Sequence, residues 1–96
     1  IHGIIVQMPL PAHIDTNVVL DAVHPDKDID GLTTANLGRL FAGLPGAFVP
    51  CTPQGCMMLI KSVRDNLAGL HAVVIGRSRL VGKPLAELLV QQNCTV

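Results

Sequence analysis

Leu70-His71-Ala72-Val73-Val74-Ile75-Gly76-Arg77-Ser78-Arg79-Leu80-Val81-Gly82-Lys83-Pro84 is the stretch that decides the fold. Its first six residues form a short apolar run, which reads as a strand. A glycine-containing loop follows at once. Leu85, Leu88 and Leu89 then mark the apolar face of a helix. A new strand starts near Cys94. Strand, loop, helix and strand make a βαβ unit, which implies a parallel sheet with right-handed crossovers. The fold class read from this stretch is α/β.

The loop is also the strongest chemical signal. A strand that feeds a glycine loop and a helix N-terminus presents outward N–H groups, and the helix dipole favours negative charge there. Phosphate fits, and the topology adds nucleotide. The spacing departs from G-x-G-x-x-G, because Ser78 stands at the second glycine position and Gly82 falls one residue late. Arg77 and Arg79 put positive charge on the loop, which suits a 2′-phosphate and so NADP over NAD. The bland alternative is a tight βα turn in which glycine serves only backbone geometry.

Working back along the chain, Thr52-Pro53 predicts a helix opening, with Thr52 as cap and Pro53 at the first helical position. Cys56, Leu59, Ile60 and Val63 supply its helical spacing, and it is expected to fade between Asn66 and Gly69. Leu44 to Pro50 reads as a connector. Thr34 is the expected cap of a short helix through Leu37, Leu40 and Phe41, with Gly43 as its stop. Asp15 caps a helix expected to end before Pro25, with Ile14 and Val19 at staple spacing. Gly3 to Met8 is an apolar run interrupted by Gln7, as expected of a strand buried on both faces of a parallel sheet. Pro9 and Pro11 end it.

Gln7 and the acidic loop carry further signals. A lone amide in an apolar strand costs a few kcal/mol (~2–4) unless its polar atoms find partners. It is either satisfied by nearby backbone or faces a ligand crevice at the strand end. Asp26, Asp28 and Asp30 alternate before Gly31, but residues 32–37 hold no acid to complete a calcium loop. They form either a solvated turn or a loop with one Asp, next to Gly31, turned inward to a polar ligand.

Composition excludes other classes. Seven Lys+Arg balance seven Asp+Glu, which argues against a nucleic-acid partner. Trp and Tyr are absent and Phe numbers two, too few for a base-stacking surface. No apolar run reaches the roughly 18 residues of a membrane span. Charged residues are only 15%, low for a small free-standing domain, and the chain starts inside an apolar run. The expectation is an internal segment of a larger α/β protein. Cys51, Cys56 and Cys94 lack a zinc-like spacing and are expected to be reduced, mostly buried thiols; no metal is expected. His2, His13, His24 and His71 form no recognisable catalytic motif and read as surface or satisfied core residues.

Four segments together carry a resemblance. Gly3-Ile4-Ile5-Val6-Gln7-Met8-Pro9-Leu10-Pro11, Lys27-Asp28-Ile29-Asp30-Gly31, Pro50-Cys51-Thr52-Pro53-Gln54-Gly55 and Val74 to Pro84 resemble, in order and approximate spacing, the motifs of the bifunctional methylenetetrahydrofolate dehydrogenase/cyclohydrolases. Asn36-Leu37-Gly38-Arg39-Leu40 adds a fifth match. The resemblance covers essentially the whole chain. It implies an NADP-dependent oxidoreductase and hydrolase of one-carbon metabolism, acting on tetrahydrofolate derivatives, cytoplasmic, feeding purine biosynthesis and usually homodimeric. It implies that residues 1–52 end a folate-binding catalytic domain, that 53–69 connect, and that 70–96 begin a Rossmann-like NADP-binding domain.

By the same resemblance, Gln7 matches the strand-end Gln that supports a catalytic lysine and lies against the folate. Val6 and Met8 line the folate cleft, Asp30 binds the pterin, and Gly76, Arg77 and Ser78 hold NADP. Thr52 falls close to the domain junction. Two family features are missing: the Y-x-x-x-K lysine upstream and the P-G-G-V-G-P segment downstream. The 96 residues alone are therefore expected to be inactive. Competing readings are another NADP-binding α/β dehydrogenase and a non-catalytic nucleotide-binding domain.

Overall fold

A computed structural model describes residues 1–96, which divide into two compact units, Ile1–Val49 and Pro50–Val96. The first holds α1 (Thr16–Asp21), a 3-10 turn (Pro25–Lys27) and α2 (Thr34–Phe41). The second holds α3 (Cys51–Val63) and α4 (Gly82–Gln91).

In the first unit, Asp15 caps α1 by accepting from the backbone N–H groups of Asn17 (2.9 Å) and Val18 (3.2 Å), as its position predicts. Pro25 then opens the 3-10 turn, where its lack of an N–H costs nothing. His24 caps that turn, its Nδ1 accepting from Asp26 N–H at 3.2 Å. The cap of α2 is Thr33, one residue before the expected Thr34. Its hydroxyl accepts from Asn36 N–H. The reason is visible at Thr34, whose N–H and Oγ1 both donate to the Asp21 carboxylate, each at 2.7 Å. Gly43, at φ 65, ends α2 as predicted. Leu20, Leu32 and Leu40 are the buried apolar residues of this unit.

The run from Gly3 contributes one parallel bridge, Ile4 to Asp28, with Ile4 N–H donating to Lys27 O at 2.7 Å. Burial on both faces, expected from its composition, is not found: Ile4 and Ile5 are exposed.

In the second unit Met57, Leu67 and Leu89 form the core, with Ile60, Leu70, Ala72, Val74, Leu85, Leu88 and Cys94 packed against it. The segment Leu70–Ile75 alternates. Leu70, Ala72 and Val74 face the core, while Val73 and Ile75 are 89% and 100% exposed. A parallel sheet is apolar on both faces because helices cover both. Here α3 and α4 pack together, and their core residues touch only one face of the segment. A parallel bridge joins His71 to Thr95, flanked by Ala72 N–H to Thr95 O and Thr95 N–H to Leu70 O, both 2.8 Å. Asn93, at φ 61, turns the chain out of α4 into that bridge.

Thr52 does not cap α3. The helix starts two residues earlier than expected, with Pro50 in the cap position and no side-chain cap. Pro53 therefore sits third in the helix, where a cap would otherwise find its N–H donor, and proline has none. The last turn closes at Val63, short of the expected Asn66. The three cysteines are free. Cys51 is exposed and the other two are half-buried, so the expectation of mostly buried thiols does not hold.

Candidate functional site

The two groups of candidate residues fall one on each unit. In the first, Gln7 is exposed on the extended segment, flanked by half-buried Val6 and Met8. Its Nε2 donates to Met8 O at 3.1 Å. The amide is therefore met by adjacent backbone and keeps its oxygen open.

The acidic loop separates its three carboxylates. Asp26 is exposed, Asp30 is half-buried and Asp28 is 4% exposed. The Asp turned inward is thus Asp28, not the residue next to Gly31. Its Oδ1 accepts from Leu32 N–H (3.1 Å), and its Oδ2 accepts from Thr33 N–H (2.8 Å) and Asn36 Nδ2 (2.9 Å). Burial alone would push this carboxyl up. The hydrogen bonds from Asn36, Thr33 and Leu32 outweigh it and hold the group below its ordinary value. Asp28 is fully occupied inside the fold. The Asp30 carboxylate takes part in no hydrogen bond within the chain and can take one from a ligand.

Sequence reasoning missed Asn36, which is 0% exposed. Its Nδ2 donates to Pro25 O and Asp28 Oδ2, both at 2.9 Å, and its Oδ1 accepts from Phe48 N–H at 3.3 Å and Arg39 at 3.4 Å. The available signal was its place in the Asn36–Leu40 motif match on an expected helix. That pattern does not reveal burial.

In the second unit the Gly76–Gly82 loop folds back on itself. Ser78 Oγ accepts from Val81 N–H (3.1 Å) and Gly82 N–H (3.4 Å), and Ser78 O accepts from Lys83 N–H (3.0 Å). Ser78 therefore closes the turn into α4, in place of a side chain at the cap position. Gly76 takes φ 139, a conformation that favours glycine. Beside the loop lies a cleft of about 380 Å³ lined by Ala72, Gly76, Arg77, Gly82, Lys83 and Val96, among others. Arg77 and Lys83 are exposed at it, so the cleft carries two cations next to a helix N-terminus.

Comparison with known proteins decides the family. Residues 1–30 match the tetrahydrofolate dehydrogenase/cyclohydrolase catalytic domain, and residues 50–96 match the NAD(P)-binding domain of the same enzymes. The chain belongs to the tetrahydrofolate dehydrogenase/cyclohydrolase family. Among family relatives, the bifunctional protein FolD of Janthinobacterium is 62% identical over all 96 residues, which span 34% of that protein. That of Anaplasma marginale is 56% identical, with 32% of its length covered.

Among solved structures of the family, FolD of Campylobacter jejuni aligns with 99% of the chain and 34% of its own, at TM-score 0.94 and 45% identity. The Trypanosoma brucei enzyme, described as complexed with NADP cofactor and inhibitor, aligns at TM-score 0.92 and 40% identity, over 99% of this chain and 32% of its own. The chain thus spans about a third of the length of the curated family members it matches. No helix in it is long and apolar enough to cross a membrane.

Proposed function

We propose that the whole protein is a bifunctional enzyme of one-carbon metabolism. It oxidises 5,10-methylenetetrahydrofolate to 5,10-methenyltetrahydrofolate with NADP and hydrolyses that product to 10-formyltetrahydrofolate. The observation that carries the reading is the pairing of two unlike loops. One offers a half-buried, unengaged carboxylate at Asp30; the other offers a cation-lined cleft at Gly76–Gly82.

Val6, Gln7, Met8 and Asp30 bind the folate, and Gln7 and Asp30 also serve the chemistry. A carboxylate accepts two parallel N–H groups from the guanidine-like edge of a pterin, as it does from arginine. Gln7 presents an amide oxygen at the end of an apolar segment and orients the reacting groups. Gly76, Arg77 and Ser78 bind NADP. The turn suits a phosphate, because Gly76 leaves open space beside the backbone and Arg77 and Lys83 supply positive charge. Bound NADP supplies the hydride acceptor, while the chain holds and orients it.

The same reading extends to architecture and setting. The two parallel bridges belong to parallel sheets, the second within a Rossmann-like domain. Residues 1–52 end the catalytic domain, 53–69 connect, and 70–96 open the NADP domain. The enzyme is a cytoplasmic homodimer whose product feeds purine biosynthesis.

Formation of NADPH from methylenetetrahydrofolate, followed by absorbance in the whole protein, tests the proposal. Arg77→Ala should raise the KM for NADP more than that for folate, and Asp30→Ala should do the reverse. Unaltered folate kinetics in both Gln7→Ala and Asp30→Ala would overturn the assigned roles. The 96-residue chain alone should form no NADPH, since it carries no Y-x-x-x-K lysine.

A further inference from the structure

We propose that Asn36 is a positioning residue for the folate site, setting the height and direction of the Asp30 loop through Asp28. The inference rests on the assignment of Asp30 to the folate. Asn36 is fully buried, and its side chain binds the loop at two points, Pro25 O and Asp28 Oδ2, each at 2.9 Å. Asp28 fixes the far side of the loop by accepting from Leu32 and Thr33 N–H, and Gly31 N–H donates to Asp28 O at 3.1 Å. Asp30 lies between these anchors.

The same loop is tied to the segment that carries Gln7. Ile4 bridges Asp28, and its N–H donates to Lys27 O at 2.7 Å. Gly3 admits the contact, since a Cβ there would strike Cγ2 of Ile29, the residue between Asp28 and Asp30. One buried amide on α2 thus sets the loop against the extended segment, and with it the separation of Gln7 from Asp30. Every donor and acceptor of that amide is used inside the fold, so Asn36 acts through its neighbours rather than on a ligand.

The test is steady-state kinetics on the whole protein carrying Asn36→Asp, which keeps the size and replaces the donor facing Asp28 with an acceptor. Asn36→Ser is the milder companion, and thermal melting checks the fold of both. Misplacing a binding group by a fraction of an ångström weakens its use in binding and orientation. The expected result is a rise of about tenfold in the KM for the folate substrate in Asn36→Asp, a smaller rise in Asn36→Ser, and a KM for NADP within about twofold of the unaltered enzyme. An unchanged folate KM, or equal rises in both KM values, overturns the inference. Failure of both variants to fold overturns it too, because Asn36 would then be a fold residue. Asp30→Ala is the control: if it leaves the folate KM unchanged, the folate assignment itself fails; if it raises that KM while Asn36→Asp does not, only the positioning role fails.

Discussion

The α-carbon of Gly82 packs against the carbonyl of Gly76, so a Cβ at position 82 would strike that oxygen and stand 2.7 Å from the Arg77 nitrogen. Both contacts are backbone, which cannot rotate out of the way as a side chain can. Gly82→Ala must therefore push the Gly76–Arg77 turn away from the start of α4. Overpacking of this kind costs about 1–3 kcal/mol. The expected outcome in the whole protein is a lower unfolding midpoint and a KM for NADP raised more than that for folate. A variant with unaltered stability and NADP affinity would show that the close approach is dispensable.

Ser78 holds the same turn from the other side. Its Oγ accepts from two backbone N–H groups at the start of α4, the work a helix cap performs. Ser78→Ala should cost about 1 kcal/mol, as cap removal does, and Ser78→Thr should restore most of it. Chemical denaturation of the three proteins checks the order.

Asp21 and Thr34 join the last turn of α1 to the first turn of α2 by two hydrogen bonds of 2.7 Å. The carboxylate also lies at the N-terminal end of α2, where the helix dipole favours negative charge. Asp21→Ala should destabilise by about 1–2 kcal/mol, and the loss should shrink at high salt because the site is exposed. Urea unfolding at two salt concentrations checks both.

Helix signals in this sequence were local and therefore readable. Asp15 and Gly43 act within one turn of their own position, and the glycine loop into α4 lies where its residues place it. Apart from the Thr52 cap, which Pro53 itself defeats, the errors have physical causes of longer range. Thr33 rather than Thr34 caps α2 because Asp21, thirteen residues earlier, engages Thr34. Two-faced burial of the Gly3–Met8 run failed because a sheet face is covered by elements distant in sequence, and Ile4 and Ile5 stay exposed. The acidic triplet announced a turn, but which carboxylate points inward depends on Asn36 in a later helix. The candidate ligand residues were read from motif resemblance, whereas the hydrogen bonds by which Asn36 and Ser78 hold their loops in place are not visible in a motif.

Acid stability depends on Asp28. Its folded carboxyl titrates below the ordinary value, so the folded state favours the ionised form more than the unfolded chain does. Such a group contributes stability that is fully present above the unfolded value, about pH 4. It is lost as pH falls through the lower folded value. Asp28→Asn removes the titration and also places an amide N–H₂ against one of the N–H donors of Leu32 and Thr33, or loses one of their acceptors. At neutral pH the variant should be less stable by about 1–3 kcal/mol, the usual cost of leaving a buried polar group unpaired. Below about pH 4 the gap to the unaltered protein should narrow, because only the latter loses the Asp28 contribution there. Unfolding free energies measured from pH 7 down to about pH 2.5 decide it. Curves that stay parallel across that range would mean that Asp28 titrates alike in the folded and unfolded states.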